Sequence, residues 1–132
     1  MAGGEYPKDL KYTKDHEWAK KAGAAIAVGV TFHAQDALGE IVYVELPKVG
    51  TTLTAGKPFG VIESTKAVSE LFAPVSGKVT KANDAVTKDP SLVNREPYTS
   101  GWLVEVEPSA AGEFDKLLDQ PTYVKLLDAA AH

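Results

Sequence analysis

Few residues in this chain are able to do chemistry, and one lysine is placed where chemistry could be attached to it. Phe59-Gly60-Val61-Ile62-Glu63-Ser64 and Ala67-Val68-Ser69-Glu70-Leu71-Phe72 each read as a β-strand, with only Thr65-Lys66 between them, the length of a tight hairpin connection. This spacing puts Lys66 at an exposed tip. Glu63, Ser64 and Thr65 make a polar approach to it, and no second lysine stands beside it. A primary amine on a rigid tip is a good place to hang a covalent cofactor, although an isolated turn lysine taken alone is more commonly a solvated charge.

The other reactive residue types do not assemble into a site. The chain has three histidines, His16, His33 and His132, and no cysteine. Thiolate catalysis, disulfides and cysteine-ligated zinc are therefore excluded. His16-Glu17 begins like a zinc-protease motif, but Lys20 stands where its second histidine is required, so no metal site is expected. No serine sits between glycines at the spacing of a nucleophile elbow, and no Gly-rich loop could cradle phosphate.

The elements that must position Lys66 are short and mostly extended. With 11 Gly and 8 Pro set between brief apolar runs, the pattern favours many short strands over a helical bundle. From Ala24 to Val30, large Ile26, Val28 and Val30 alternate with small Ala25, Ala27 and Gly29, which predicts a strand with a core face and a tight opposite face. Thr31 can cap a short helix running to Leu38, and Gly39 can end it. Ile41–Leu46, Leu53, Lys78–Ala82 and the alternating run from Trp102 continue the strand series. The period then changes. Phe114, Leu117 and Leu118, then Tyr123, Leu126 and Leu127, recur at helical spacing, and this stripe is read as packing rather than a cofactor site. The expected fold is mostly β, two small antiparallel sheets with a short internal helix and C-terminal helices. Residues 1–9 are read as a mobile N-terminal tail and 10–132 as one domain.

Composition bounds the partners. The 132 residues suit a single domain, and 14 Lys+Arg against 18 Asp+Glu give a net charge of −4. The acids are spread along the chain and no basic stripe exists, so nucleic acid is not an expected partner. No apolar run is long enough to span a membrane, and Met1-Ala2-Gly3-Gly4 does not open like a signal peptide.

Glu63-Ser64-Thr65-Lys66-Ala67 followed by Ala73-Pro74-Val75-Ser76-Gly77 resembles the lipoyl-lysine motif of the glycine cleavage system H-protein family. Tyr12-Thr13-Lys14-Asp15-His16-Glu17-Trp18 resembles the family's N-terminal signature. Similar matches follow in order at Val28–Thr31, Ala34–Ile41, Val42–Pro47, Leu92-Val93-Asn94, Pro97-Tyr98 and Gly101-Trp102-Leu103. The resemblance covers about residues 10–128.

What it implies is a lipoyl/biotinyl-type barrel-sandwich hybrid that acts as a carrier and not as an enzyme. Lys66 would be joined by an amide to lipoic acid, on an arm reaching roughly 14 Å. Glycine decarboxylase (a pyridoxal-phosphate enzyme) would load an aminomethyl group, and a tetrahydrofolate-dependent aminomethyltransferase would collect it. Dihydrolipoamide dehydrogenase would then reoxidise the dithiol. By resemblance, Glu63 helps lipoylating enzymes recognise the hairpin, with Ser64, Thr65 and Ala67 completing the recognised turn. The loaded arm is expected to fold into a water-excluding cleft. Glu17 is the candidate partner of its amine, although a strand-edge surface charge is an equal reading. The helix from Thr31 to Leu38 is the candidate wall. Ala37 departs from the larger polar residue some members carry there. Gly77 is expected to permit the turn that returns the chain after the hairpin. A monomer is expected, in a bacterial cytoplasm or a mitochondrial matrix.

Two related carriers are less consistent with the residues. Lipoyl domains of 2-oxoacid dehydrogenase acyltransferases are shorter and commonly place Asp directly before the lysine, where Thr65 stands here. Biotin carriers flank their lysine with methionines, and the only Met here is Met1. A role as a relay handing lipoyl groups to other proteins is a further alternative. A stand-alone hydrolase would need the paired catalytic residues that are missing.

Overall fold

The computed structural model describes residues 6–130. The element order is β1 (Lys11–Tyr12), β2 (Glu17–Ala22), β3 (Ala25–Val30), α1 (Phe32–Leu38), β4 (Ile41–Glu45), β5 (Thr52–Leu53), β6 (Pro58–Ser64) and β7 (Val68–Phe72). It continues with β8 (Gly77–Ala82), α2 (Asp84–Lys88), α3 (Ser91–Arg95), β9 (Val104–Pro108), α4 (Ala111–Asp115) and α5 (Gln120–Ala130). The strands form two antiparallel sheets. One is six-stranded in the order β1-β2-β3-β9-β8-β5, and the other is three-stranded in the order β4-β6-β7. Lys66 stands at the turn of the smaller sheet.

Local sequence explains the frame. Gly23, at φ +66, makes the two-residue link that lets Ala22 face Ala25 across β2 and β3. The small side of β3 is small because Trp18 lies on it. Trp18 pairs with Gly29, and a Cβ on Gly29 would come within 2.5 Å of the indole. The large side, Ile26, Val28 and Val30, faces the main core with Ile62, Leu71, Val75, Val79 and Val106. A second, aromatic cluster joins Tyr6, Leu10, Tyr12, Trp18 and Tyr123. There Tyr12 and Tyr123 stack at 4.6 Å with their planes 5° apart.

The helical stripe of the C-terminus divides between the two cores. Phe114 and Leu117 pack on the first, and Leu118, Val124 and Leu127 pack on the second. Thr31 caps α1 by accepting from the Ala34 amide, and Gly39 ends it at φ +83, as the sequence predicts.

Several features differ from expectation. Of the stretch read as a tail, residues 1–5 lie outside the described residues, but Tyr6 is only 6% exposed and packs edge-on to Tyr123 and Phe32. Its aromatic ring has an apolar surface to bury, which the surrounding polar residues disguise. β9 begins at Val104, not Trp102. Helices α2 and α3 have five residues each, too short to show a period. Gly77 is not a turn residue. It opens β8, and the backbone freedom expected of it is used there: φ is +156, and a Cβ would in addition sit 2.1 Å from the Glu107 carbonyl oxygen across the sheet.

Candidate functional site

The hairpin tip is built by its own side chains. The Ser64 amide donates to the Ala67 carbonyl at 2.8 Å, closing the turn. The reciprocal bond is not made to backbone. The amides of Ala67 and Lys66 instead donate to the Ser64 hydroxyl, at 3.0 and 3.3 Å. Ser64 thereby replaces its own carbonyl as the acceptor, which lengthens the connection to Thr65-Lys66-Ala67, one residue more than the sequence spacing indicates. The Thr65 amide donates to the Glu40 carbonyl at 3.0 Å, pinning the tip to the residue before β4. Thr65, Lys66 and Ala67 are exposed, and Glu63 and Ser64 are half-buried.

Lys66 has no ion pair or hydrogen bond from its side chain among the described residues. Its stem passes over Gly39, where an added Cβ would lie 3.4 Å from Cε. The absence of a side chain at Gly39 leaves room beside the stem, so the residues present fit a lysine extended by an amide-linked group.

A single amide holds that surroundings in place. Asn94, on α3, accepts from the Ile41 amide at 2.9 Å and donates to the Gly39 carbonyl at 2.9 Å and to Gln35 Oε1 at 3.0 Å. It therefore fixes both sides of Glu40, the residue whose carbonyl seats Thr65. Asn94 is visible in the sequence only as part of a matched motif. Its role depends on α3 meeting α1 and β4, a long-range contact that has no local signal.

Glu17 lies elsewhere than a strand edge. It is 2% exposed, and both carboxylate oxygens are engaged. Thr13 Oγ1 donates to one at 2.8 Å, and the Phe72 amide, at the end of β7, donates to the other at 3.2 Å. Burial pushes its carboxyl up to about 8 against the opposing pull of these two bonds, with the Asp15 charge adding to the rise. Glu17 thus ties the N-terminal turn to the return strand of the hairpin.

Thr31 is also fully buried. Besides capping α1, its hydroxyl hydrogen-bonds the Tyr123 hydroxyl at 2.9 Å, which in turn meets His16 Nδ1 at 2.8 Å. His16 has a left-handed backbone (φ +69) in a turn closed by its amide donating to the Thr13 carbonyl. Burial, then the neighbouring His33 ring at 4.4 Å, lowers its pKa, with Asp15 opposing. Of the cleft candidates Glu17, Thr31 and Leu38, none is shown against Lys66; the residue beside its stem is Gly39, which follows Leu38, and Leu38 itself packs on the main core. Glu17 and Thr31 are occupied behind the surface.

Among the described residues no group of three or more His, Asp or Glu could hold a metal ion. Among the described residues no helix is long and apolar enough to cross a membrane. An exposed, unpaired lysine on a braced hairpin of a small two-sheet β domain is the arrangement a carrier-type domain requires. Comparison with known proteins narrows the class. The family model described as "Glycine cleavage H-protein" matches residues 10–130, and the chain belongs to that family. The glycine cleavage system H protein of Myxococcus xanthus is 60% identical over 121 residues, 92% of this chain and 94% of that one. The mitochondrial glycine cleavage system H protein 2 of Arabidopsis thaliana is 51% identical over 121 residues, covering 92% of this chain and 78% of its own. A crystal structure of the H protein from Mycobacterium marinum superposes with a TM-score of 0.86 at 41% identity, covering 92% of this chain and 98% of its own.

Proposed function

We propose that this protein is the lipoyl carrier of glycine cleavage, with lipoic acid amide-linked to Lys66 Nζ. The observation that supports this reading above others is Lys66 itself, exposed and unpaired on a braced turn in a chain of this family. The carrier takes an aminomethyl group from glycine decarboxylase to aminomethyltransferase, and dihydrolipoamide dehydrogenase returns it to the oxidised form. When bound, the dithiolane supplies the redox chemistry that a chain without cysteine lacks. The chain is a carrier component rather than an enzyme. Its own residues hold the turn, orient the lysine stem and support the strands behind it. Gly39, which follows Leu38, forms the near wall for the arm, and Glu17 and Thr31 brace that wall from within. The protein acts as a monomer in the compartment that houses the system, a bacterial cytoplasm or a mitochondrial matrix.

The test is peptide-resolved mass analysis after incubation with lipoate, ATP and a lipoate ligase, with K66R alongside. Lipoyl mass confined to the Lys66 peptide and absent from folded K66R is the expected result. A folded wild-type protein left unmodified by two different ligases overturns the reading.

A further inference from the structure

The outer face of the three-stranded sheet carries a pattern that the hairpin alone does not reveal. Register places Tyr43, Glu63 and Val68 directly opposite one another across β4, β6 and β7. The next row on the same face is Glu45, Val61 and Glu70. The residues between these rows, Val44 and Ile62, point the other way and are 2% and 1% exposed. The outer face is thus an alternation of apolar and acidic side chains, apolar–acid–apolar above acid–apolar–acid. Tyr43 and Val68 are 46% and 69% exposed, large values for apolar side chains. None of the three carboxylates has a hydrogen bond or ion pair among the described residues. No basic residue stands in either row. At its lower edge the face opens into a groove of about 330 Å³, lined by Glu45, Pro47, Pro58, Val61 and Glu70.

We infer that this face docks the enzyme that acylates Lys66, through a partner surface of basic side chains set on an apolar ground; the inference rests on the carrier reading above. The argument for this occupant is one of reach. An enzyme working on the finished arm can stand off by roughly 14 Å, but one that must form the amide at Nζ has only the lysine stem, roughly 6 Å. Its surface must therefore lie against the hairpin. Glu63 and Val68, which flank the turn, belong to the first row of the face. The groove, where Pro47, Pro58 and Val61 stand beside carboxylates from two strands, matches the aliphatic stem and cationic head of a partner arginine or lysine. Three unpaired acids also speed encounter with a basic surface.

The experiment measures lipoylation kinetics of the full chain with a lipoate ligase, lipoate and ATP. Three double variants are compared with wild type: E45K/E70K, Y43S/V68S, and E107K/D128K as a charge-matched control on exposed positions elsewhere. All changed side chains are at the surface, and thermal melting checks folding. For E45K/E70K and for Y43S/V68S the expected result is a fall in kcat/KM of roughly tenfold or more, carried by KM. The control stays within about twofold. Salt lowers wild-type kcat/KM, and E45K/E70K flattens that dependence. Wild-type kinetics in either face variant overturns the inference. So does a face that serves the decarboxylase instead, where lipoylation is intact in both variants and only the later reaction falls. Failure to lipoylate wild type is a different result, since it overturns the carrier reading and not the face alone.

Discussion

Replacing Glu17 with glutamine separates what burial costs from what its hydrogen bonds return. The carboxyl is 2% exposed and stands at about 8, against an ordinary 4.5. The native state therefore holds a proton that the unfolded chain has already released between those two values. By linkage, stability from this group is whole below about pH 4.5, falls as pH rises, and is lost once pH passes about 8. From pH 6 to 8 the loss amounts to about 2 kcal/mol. Glutamine does not titrate, so its contribution is flat. It cannot reproduce both bonds, however. Thr13 Oγ1 already accepts from the Asp15 and Glu17 amides, so its proton must point at residue 17, while the Phe72 amide donates from the other side. Both atoms of the side chain must accept; the hydroxyl oxygen of the protonated acid still can, but an amide nitrogen cannot. At pH 6, E17Q should be less stable than wild type by about 1–3 kcal/mol, the cost of one unsatisfied buried donor. By pH 9 the two should be equal or reversed. Urea unfolding of both proteins at half-unit steps from pH 5 to 9 reads the difference directly, and other titrating groups cancel. A difference that stays constant with pH refutes the reasoning, because it means Glu17 is ionised throughout.

Two further substitutions test the frame. G77A puts a methyl 2.1 Å from the Glu107 carbonyl oxygen, which cannot retreat without opening the β8–β9 ladder. The expected loss is about 3 kcal/mol and a Tm lower by about 10 °C, measured by calorimetry; a Tm within about 2 °C of wild type refutes the close-approach argument. N94A removes the acceptor for Ile41 and the donors for Gly39 and Gln35. Because these bonds seat Glu40, hydrogen exchange at the Thr65 amide should quicken by about tenfold more than at β2 amides, whereas equal changes would make Asn94 a general stabiliser only.

How much was legible depended on whether the cause was local. α1 was readable from end to end because Thr31 and Gly39 are cap residues that act within one turn. The β3 strand was readable because size alternation is a period-two signal. The hairpin was readable as strand, turn, strand, but its turn was one residue longer, because the Ser64 hydroxyl takes the place of a backbone acceptor. Glu17 could not be placed from its neighbours. One of its two hydrogen-bond partners is the Phe72 amide, 55 residues away along the chain. Gly77 was visible as a glycine that matters, while part of the reason lay across the sheet at Glu107. The acidic-apolar face was invisible for the same reason. Its six residues come from three strands, and only the register, with a bulge between Ile41 and Tyr43, brings them into rows.

These observations point to one physical arrangement. Three restraints from separate parts of the chain converge on the hairpin tip: Ser64 within the turn, the Glu40 carbonyl beside it, and Asn94 behind Glu40. With the backbone so fixed, the freedom left at the site is that of the Lys66 stem and whatever it carries. This division suits repeated visits to different enzymes. A rigid turn costs little ordering entropy at each encounter, so a small contact can be specific without being tight. Large obligate interfaces would defeat a carrier, since it must leave each partner. Docking of the acylating enzyme on a modest face of exposed acids and apolar side chains, as inferred above, would be fast, salt-sensitive and reversible. The rest of the fold, with the aromatic core covered by a C-terminal helix whose Tyr123 reaches both His16 and Thr31, supports that tip from behind.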